Sequence, residues 1–299
     1  MKLHSEDIRS AFRGELLEQE PLARHTSLRV GGPADLFAIP QDRDDLLRLL
    51  KALARQQIPW IVIGGGYNLL IRDGGFRGVV ISLKKLSHME VVGSDTIHVE
   101  AGLRNIDLAR LAEAHALTGL EFLAGIPGSV GGAVRMNAGA HGGEIFDSIT
   151  HVDLLVDGDI RRYDKKTLDF GYRHLQLDPD KIIIAATFQL ATGTQENIST
   201  IMDTYLLIRQ DAQKVRYPNA GSFFKNPSGL AAWKLIEDAG LRGLTIGAAQ
   251  VSEVHTNFLV NRGDATAANF LELAAIVKDR VFKNSAVLLA EEVQIMGED

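Results

Sequence analysis

An α+β fold with mixed sheets is what the sequence predicts. Three observations carry this reading: a β-rich middle, a last third that alternates helices with short strands, and no internal repeat, low-complexity tract or linker. In order along the chain, Ile8 and Phe12 stand one turn apart in a short helix ended near Gly14. A turn at Gly31, Gly32 and Pro33 leads into a strand from Ala34 to Ile39. Asp42 has the chemistry of an N-cap for a helix whose leucines recur at 46, 49, 50 and 53, and Pro59 stops it. Trp60 to Ile63 reads as a buried strand entering three glycines, and LLIRDGG followed by GVVISL as extended chain with a turn.

Two further strands flank Gly93 to Asp95, and a helix is expected from Asn105 to Thr118, ended by Gly119. Asp157 and Gly158 mark a hairpin, and KIIIAATFQL (181–190) a strand. A helical run over 196–214 changes the texture, and a domain boundary is expected near its start. Beyond it come a helix at 230–239, strands at 245–251 and 257–261, and a helix over 265–283. AVLLAEEVQI should close the chain as a strand of alternating polarity.

Composition removes whole classes of function. There is no cysteine, which excludes disulfides, iron–sulfur clusters, thiolate zinc sites and cysteine nucleophiles together. A net charge of −6 gives no basic face for nucleic acid. No signal peptide or apolar membrane span is legible, so a cytoplasmic protein without membrane insertion is expected. The nine histidines form no ligand cluster, and no metal is expected.

Glycine is placed unevenly. Gly64, Gly65 and Gly66 follow a strand, but no helix follows them, so the dinucleotide fingerprint fails. Their amides suit an anion-binding nest, and equally a tight turn between strands. From Gly125 to Gly143 the chain holds seven glycines, with Ser129 and Asn137 among them and hardly a charge. Such density suits backbone that approaches a ligand closely, with amides offered to a pyrophosphate; Gly131 is expected at such an approach. A third stretch, RYPNAGSFFKNPSG, contains no hydrolase elbow, so Ser222 is no acyl-transfer nucleophile. Ser222 reads either as a turn residue or as a proton donor beside the positive Lys225.

Together TSLRVGGPADLFAIP, GGGYNLL, IPGSVGGAVRMNAGAHGGEI, FGYRHLQL, AGSFFKNPSG, AWKLIEDAGLRG, AAQVSEVHTNFLVN and the late EEV resemble the UDP-N-acetylenolpyruvoylglucosamine reductases over nearly the whole chain. The resemblance implies a two-part FAD-binding domain of the p-cresol methylhydroxylase type, at 1–80 (joined by 286–299) and 81–196, plus a C-terminal α+β substrate domain at 197–285. It implies an oxidoreductase of peptidoglycan precursor synthesis with non-covalent FAD, NADPH as electron donor, a small UDP-sugar as substrate and no obligate protein partner. By motif, the catalytic residues would be Arg173, Ser222 and Glu292. Flavin contacts would come from Gly64, Gly65, Gly66, Tyr67, Asn68, Leu69, Gly125, Ile126, Pro127, Gly128, Ser129, Gly131, Gly132, Asn137, Ala138 and Gly139. Substrate contacts would come from Tyr172, Lys225, Asn226, His255 and Asn257.

The chain departs from the family pattern at Tyr67, where serine is usual, at His141 for tyrosine, at Ala290 for an acid, and in HLQL, which lacks a serine. Its length matches the shorter type, without a tyrosine-bearing loop over the substrate. Two alternatives remain at this stage: another flavin oxidoreductase of the same fold acting on an alcohol, with His141 as a covalent tether, and a non-catalytic nucleotide-sugar binding protein.

Overall fold

The structure is a computed structural model that describes residues 5–212 and 215–299. It divides into two compact units. The first takes the chain up to Glu18, then Leu36–Gly65 and Gly78–Arg209; the second takes Gln19–Asp35, Gly66–Arg77 and Gln210–Asp299.

In the first unit, helix α1 (Ser5–Ala11) sets Ile8 into the core, and α2 (Arg43–Arg55) buries Leu46, Leu49 and Leu53 on one face, as their spacing requires. Asp42 caps α2, its carboxylate accepting from the amide of Asp45 at 2.8 Å. The carboxylate of Asp45 is itself fully buried. It is satisfied by the amides of Arg13 and Gln41, at 2.7 and 2.9 Å. A four-stranded sheet runs in the order Glu15–Pro21, Pro33–Ile39, Phe76–Ser82, Trp60–Ile63. Only Ile63 of the last strand is buried, so the expected fully buried strand is half-covered instead.

The larger sheet has five antiparallel strands, ordered Asp159–Asp164, Ile149–Val156, Ile182–Gln189, Thr96–Glu100 and Met89–Val92. Asp157 and Gly158 both take positive φ (54° and 83°), which is the hairpin geometry their residue types suggest. Helix α3 (Asn105–Ala114) is shorter than expected. Ala116 turns to φ 53°, and Leu117–Thr118 leave the helix to pair with Ala191–Thr192. Inside the glycine-rich stretch lies a short helix, α4 (Val130–Arg135), and after it α5 (Ile145–Ser148). Helix α6 (Gln195–Ala212) starts where expected; positions 213 and 214 of the expected helix lie outside the described residues. The first unit continues past 196 to Arg209.

The second unit is built on an antiparallel sheet in the order Asn219–Ser222, Phe258–Asn261, Ala249–Val251, Thr245–Ile246. Helices α7 (Ala232–Asp238) and α8 (Ala267–Ser285) complete it, around Phe223, Phe224, Phe270, Leu273 and Val277. Asp73 holds the first turn of α8 through the amides of Ala267 and Ala268, at 2.8 and 2.9 Å. The closing segment differs from expectation. Only Gln294–Met296 is a regular strand, parallel to Leu69–Ile71. Before it Leu289 and Val293 are buried while Leu288 and Ala290 are exposed, so the alternation of burial holds although the segment forms no regular strand there. The segment 286–299 accordingly lies in the second unit, with both of its backbone partners. Among the described residues no helix is long and apolar enough to cross a membrane, and no group of acidic or histidine side chains forms a metal site.

Candidate active site

The first unit brings the two glycine-rich stretches together. A Cβ placed on Gly64 would lie 2.7 Å from Ser129 Oγ and 3.8 Å from the Cα of Gly132. Gly64 and Gly65 are exposed, and neither donates its amide to a described backbone carbonyl. Opposite them, Gly128 takes φ 123° and Ser129 caps α4, its Oγ accepting from Gly132 N at 3.4 Å. Two bonds from Asn105 fix this turn from below: its amide reaches Gly128 O at 3.0 Å, and its Nδ2 reaches Ile126 O at 3.1 Å. Arg209 donates to the carbonyl of Gly125.

Other residues of the second glycine stretch face the protein. Gly131 donates its amide to Ala101 O at 2.8 Å, and a Cβ there would lie 2.8 Å from Ala101 Cβ. Its missing side chain therefore serves a close approach between two chain segments. A Cβ on Gly139 would meet Gly143 O at 2.5 Å, again within the protein. Asn137 is fully buried with φ 39°. Its Nδ2 donates to Glu144 Oε2 at 2.8 Å and Gly171 O at 3.1 Å, while its Oδ1 accepts from Phe146 N at 3.3 Å. Its carboxamide brackets Glu144, Phe146 and Gly171. His141 stacks face to face on Tyr205, ring centroids 4.1 Å apart.

Arg173 sits at the tip of a minimal hairpin, Phe170–Gly171 against His174–Leu175, with φ 58°. Its guanidinium lies 5.4 Å from the ring of Tyr172, which is itself exposed.

In the second unit, Ser222 ends an edge strand that bulges between Asn219 and Ser222, with Gly221 at φ 75°. The next residue, Phe223, accepts the amide of Glu292 at 2.8 Å, and Asn68 Nδ2 donates to Glu292 O at 3.0 Å. Ser222 and Glu292 are thus carried by adjacent backbone segments. Lys225 N bonds Ala290 O at 2.8 Å, which places it on the same pair of segments. Gly66 is a structural turn: buried, at φ 72°, its Cβ position is only 1.8 Å from His25 O. Tyr67 is exposed, and Leu69 opens the strand that pairs with Gln294.

Two of the expected substrate contacts have other partners. Asn257 is 2% exposed, and its carboxamide pairs with Phe224. Asn226 Oδ1 accepts from Ala232 N at 3.0 Å, at the start of α7. Both carboxamide atoms of Asn257 are engaged in this way, whereas Asn226 is exposed and uses only its Oδ1. His255 is different: its Nδ1 is buried without a hydrogen-bond partner among the described residues, and burial lowers its pKa below the ordinary value of 6.5. Its ring packs on Phe258 at 4.6 Å.

Comparison with known proteins gives this geometry a family. Residues 34–163 match the FAD binding domain model, and residues 213–296 match that of the UDP-N-acetylenolpyruvoylglucosamine reductase C-terminal domain. The reductase of that name from Geotalea uraniireducens is 54% identical over 97% of this chain and 97% of its own length. The chain belongs to the UDP-N-acetylenolpyruvoylglucosamine reductase family. A more distant member, from Pediococcus pentosaceus, is 42% identical over 95% of each chain. The crystal structure of the reductase from Thermus caldophilus superposes with a TM-score of 0.81 at 36% identity, covering 95% of this chain and 98% of that one. Alkyldihydroxyacetonephosphate synthase, at 19% identity and a TM-score of 0.50, shares the fold alone, over 64% of this chain.

The expected two-part FAD-binding fold with its C-terminal α+β domain therefore stands, and FAD is the cofactor of this family's oxidoreductase chemistry. The first unit fits the group at Gly64 and Gly65, which are exposed and lie against the Gly128–Gly132 turn, and a side chain on Gly64 would crowd Ser129 Oγ there. Arg135, the single Lys or Arg between Gly125 and Gly143, donates from Nη1 to Leu175 O and Leu177 O, both at 3.2 Å.

Proposed function

We propose that this chain reduces UDP-N-acetylglucosamine enolpyruvate to UDP-N-acetylmuramate with electrons from NADPH, a cytoplasmic step of peptidoglycan precursor synthesis. FAD, held at Gly64, Gly65 and the Gly128–Gly132 turn, would supply the hydride-transfer chemistry between NADPH and the terminal enolpyruvyl carbon. The protein must then stabilise negative charge on the carbon beside the carboxylate and protonate it. Arg173 is assigned to the carboxylate, where a fixed cation opposes the growing charge. Ser222 gives its proton to the adjacent carbon, and Glu292 orients and polarises the developing enolate. Tyr172, Lys225 and His255 are assigned to the UDP-sugar.

The observation that supports this best is the bond from Glu292 N to Phe223 O, 2.8 Å, which keeps the backbone of Glu292 beside that of Ser222. The test is spectroscopic. The purified protein should be yellow, should lose its visible absorbance when NADPH is added without air, and should regain it with the enolpyruvyl UDP-sugar. Absorbance that NADPH leaves unchanged, or that the UDP-sugar does not restore, contradicts the proposal.

A further inference from the structure

The hairpin that carries Arg173 is too small to hold its own shape. It has two residue pairs, Phe170 with Leu175 and Gly171 with His174, and a tip at Tyr172 and Arg173. A two-stranded ribbon of this size is marginal in water, and Arg173 adds a left-handed backbone (φ 58°) that a residue with a side chain adopts only when its surroundings impose it. The arms are held from the end of α4. Asn137 donates to Gly171 O on the outgoing arm at 3.1 Å. Two residues earlier, Arg135 donates from one nitrogen, Nη1, to Leu175 O and Leu177 O on the returning arm, both at 3.2 Å. Arg135 is exposed overall and carries the one positive charge of the glycine-rich stretch, and a guanidinium stays protonated at any working pH.

We infer that Arg135 is a positioning residue for Arg173: by binding the carbonyls of Leu175 and Leu177 it fixes the returning arm, and with it the place of the Arg173 guanidinium. The inference rests on the assignment of Arg173 to the substrate carboxylate. Electron transfer from NADPH makes no use of that cation, so only the step involving the enolpyruvyl substrate should depend on Arg135.

The test compares Arg135→Met, which keeps the stem and removes the donors, with Arg135→Lys, which can again donate to two carbonyls. In the FAD-loaded protein, Arg135→Met should bleach with NADPH at close to the wild-type rate. It should bind the enolpyruvyl UDP-sugar more weakly by calorimetry and reoxidise about 10²-fold more slowly, the loss expected from a misplacement near 1 Å. Arg135→Lys should recover most of both losses. In the flavin-free protein, hydrogen exchange over residues 170–177 should be faster in Arg135→Met than in wild type. Equal slowing of both half-reactions, no slowing of either, or unchanged exchange over 170–177 overturns the inference. If wild-type protein with FAD does not respond to NADPH, the functional proposal fails instead, and the exchange measurement still decides whether Arg135 holds the hairpin.

Discussion

The carboxamide of Asn257 pairs with both backbone polar atoms of Phe224: Phe224 N donates to Oδ1 at 3.0 Å, and Nδ2 donates to Phe224 O at 2.8 Å. The side chain thus takes the place of a neighbouring strand beside the bulge that follows Asn219. All of this is buried, with Asn257 2% exposed and Phe224 0% exposed. Asn257→Leu would leave a donor and an acceptor of Phe224 without partners, each orphan costing about 1–3 kcal/mol. Denaturant unfolding should show that loss in the flavin-free protein. A stability loss below about 0.5 kcal/mol would mean that water replaces the pair.

Gly131 and Gly64 should separate structural from ligand-facing glycine. At Gly131 a side chain meets Ala101 Cβ at 2.8 Å and Ala101 O at 3.1 Å, inside the protein. Gly131→Val should destabilise the flavin-free protein by about 1–3 kcal/mol, as overpacking does, with flavin loss only a consequence. At Gly64 the neighbour is the hydroxyl of Ser129, 2.7 Å away, which can rotate aside. Gly64→Ala should weaken FAD binding in a titration while shifting flavin-free stability by no more than about 0.5 kcal/mol. The reverse pattern would remove Gly64 from the flavin cradle.

Acid should weaken the fold through two histidines. Burial is the largest cause of the lowered pKa of His98, with Asp153 opposing it, and burial likewise lowers that of His255, both from 6.5. The unfolded chain binds protons at these sites before the folded one does. Unfolding free energy should therefore fall as pH drops through 6.5, and above that value neither group should contribute to the slope. His98→Gln should flatten the slope in urea titrations across this range. An unchanged slope assigns the acid sensitivity elsewhere.

Local features were legible in the sequence wherever one residue decides one bond. Asp42 as a cap, the leucines of α2 and the turn at Asp157 and Gly158 all follow from side-chain chemistry acting over a few residues. The end of α3 was not legible, because Leu117–Thr118 leave the helix for a partner strand more than seventy residues away. The closing strand misled for a similar reason: its alternating letters suggest a sheet, but Glu292 and Val293 both bond the single carbonyl of Phe223. Within the site, glycine density pointed to the two stretches but could not distinguish Gly64, whose nearest neighbour is the Ser129 hydroxyl, from Gly131, which faces Ala101. The family resemblance assigns Asn137 and Asn257 to ligands, and the backbone bonds that their carboxamides make depend on the tertiary fold, which no local pattern shows.

The assignment of Ser222 as proton donor is tested most directly by stopped-flow absorbance on Ser222→Ala. Bleaching by NADPH needs no proton from this hydroxyl and should proceed at nearly the wild-type rate. Recovery of absorbance with the enolpyruvyl UDP-sugar needs the proton, and losing a positioned general acid should slow it by about 10² to 10⁴. The variant should turn colourless with NADPH and stay so while still binding the UDP-sugar. Equal slowing of both phases, or of neither, would contradict the account and make Ser222 a structural residue.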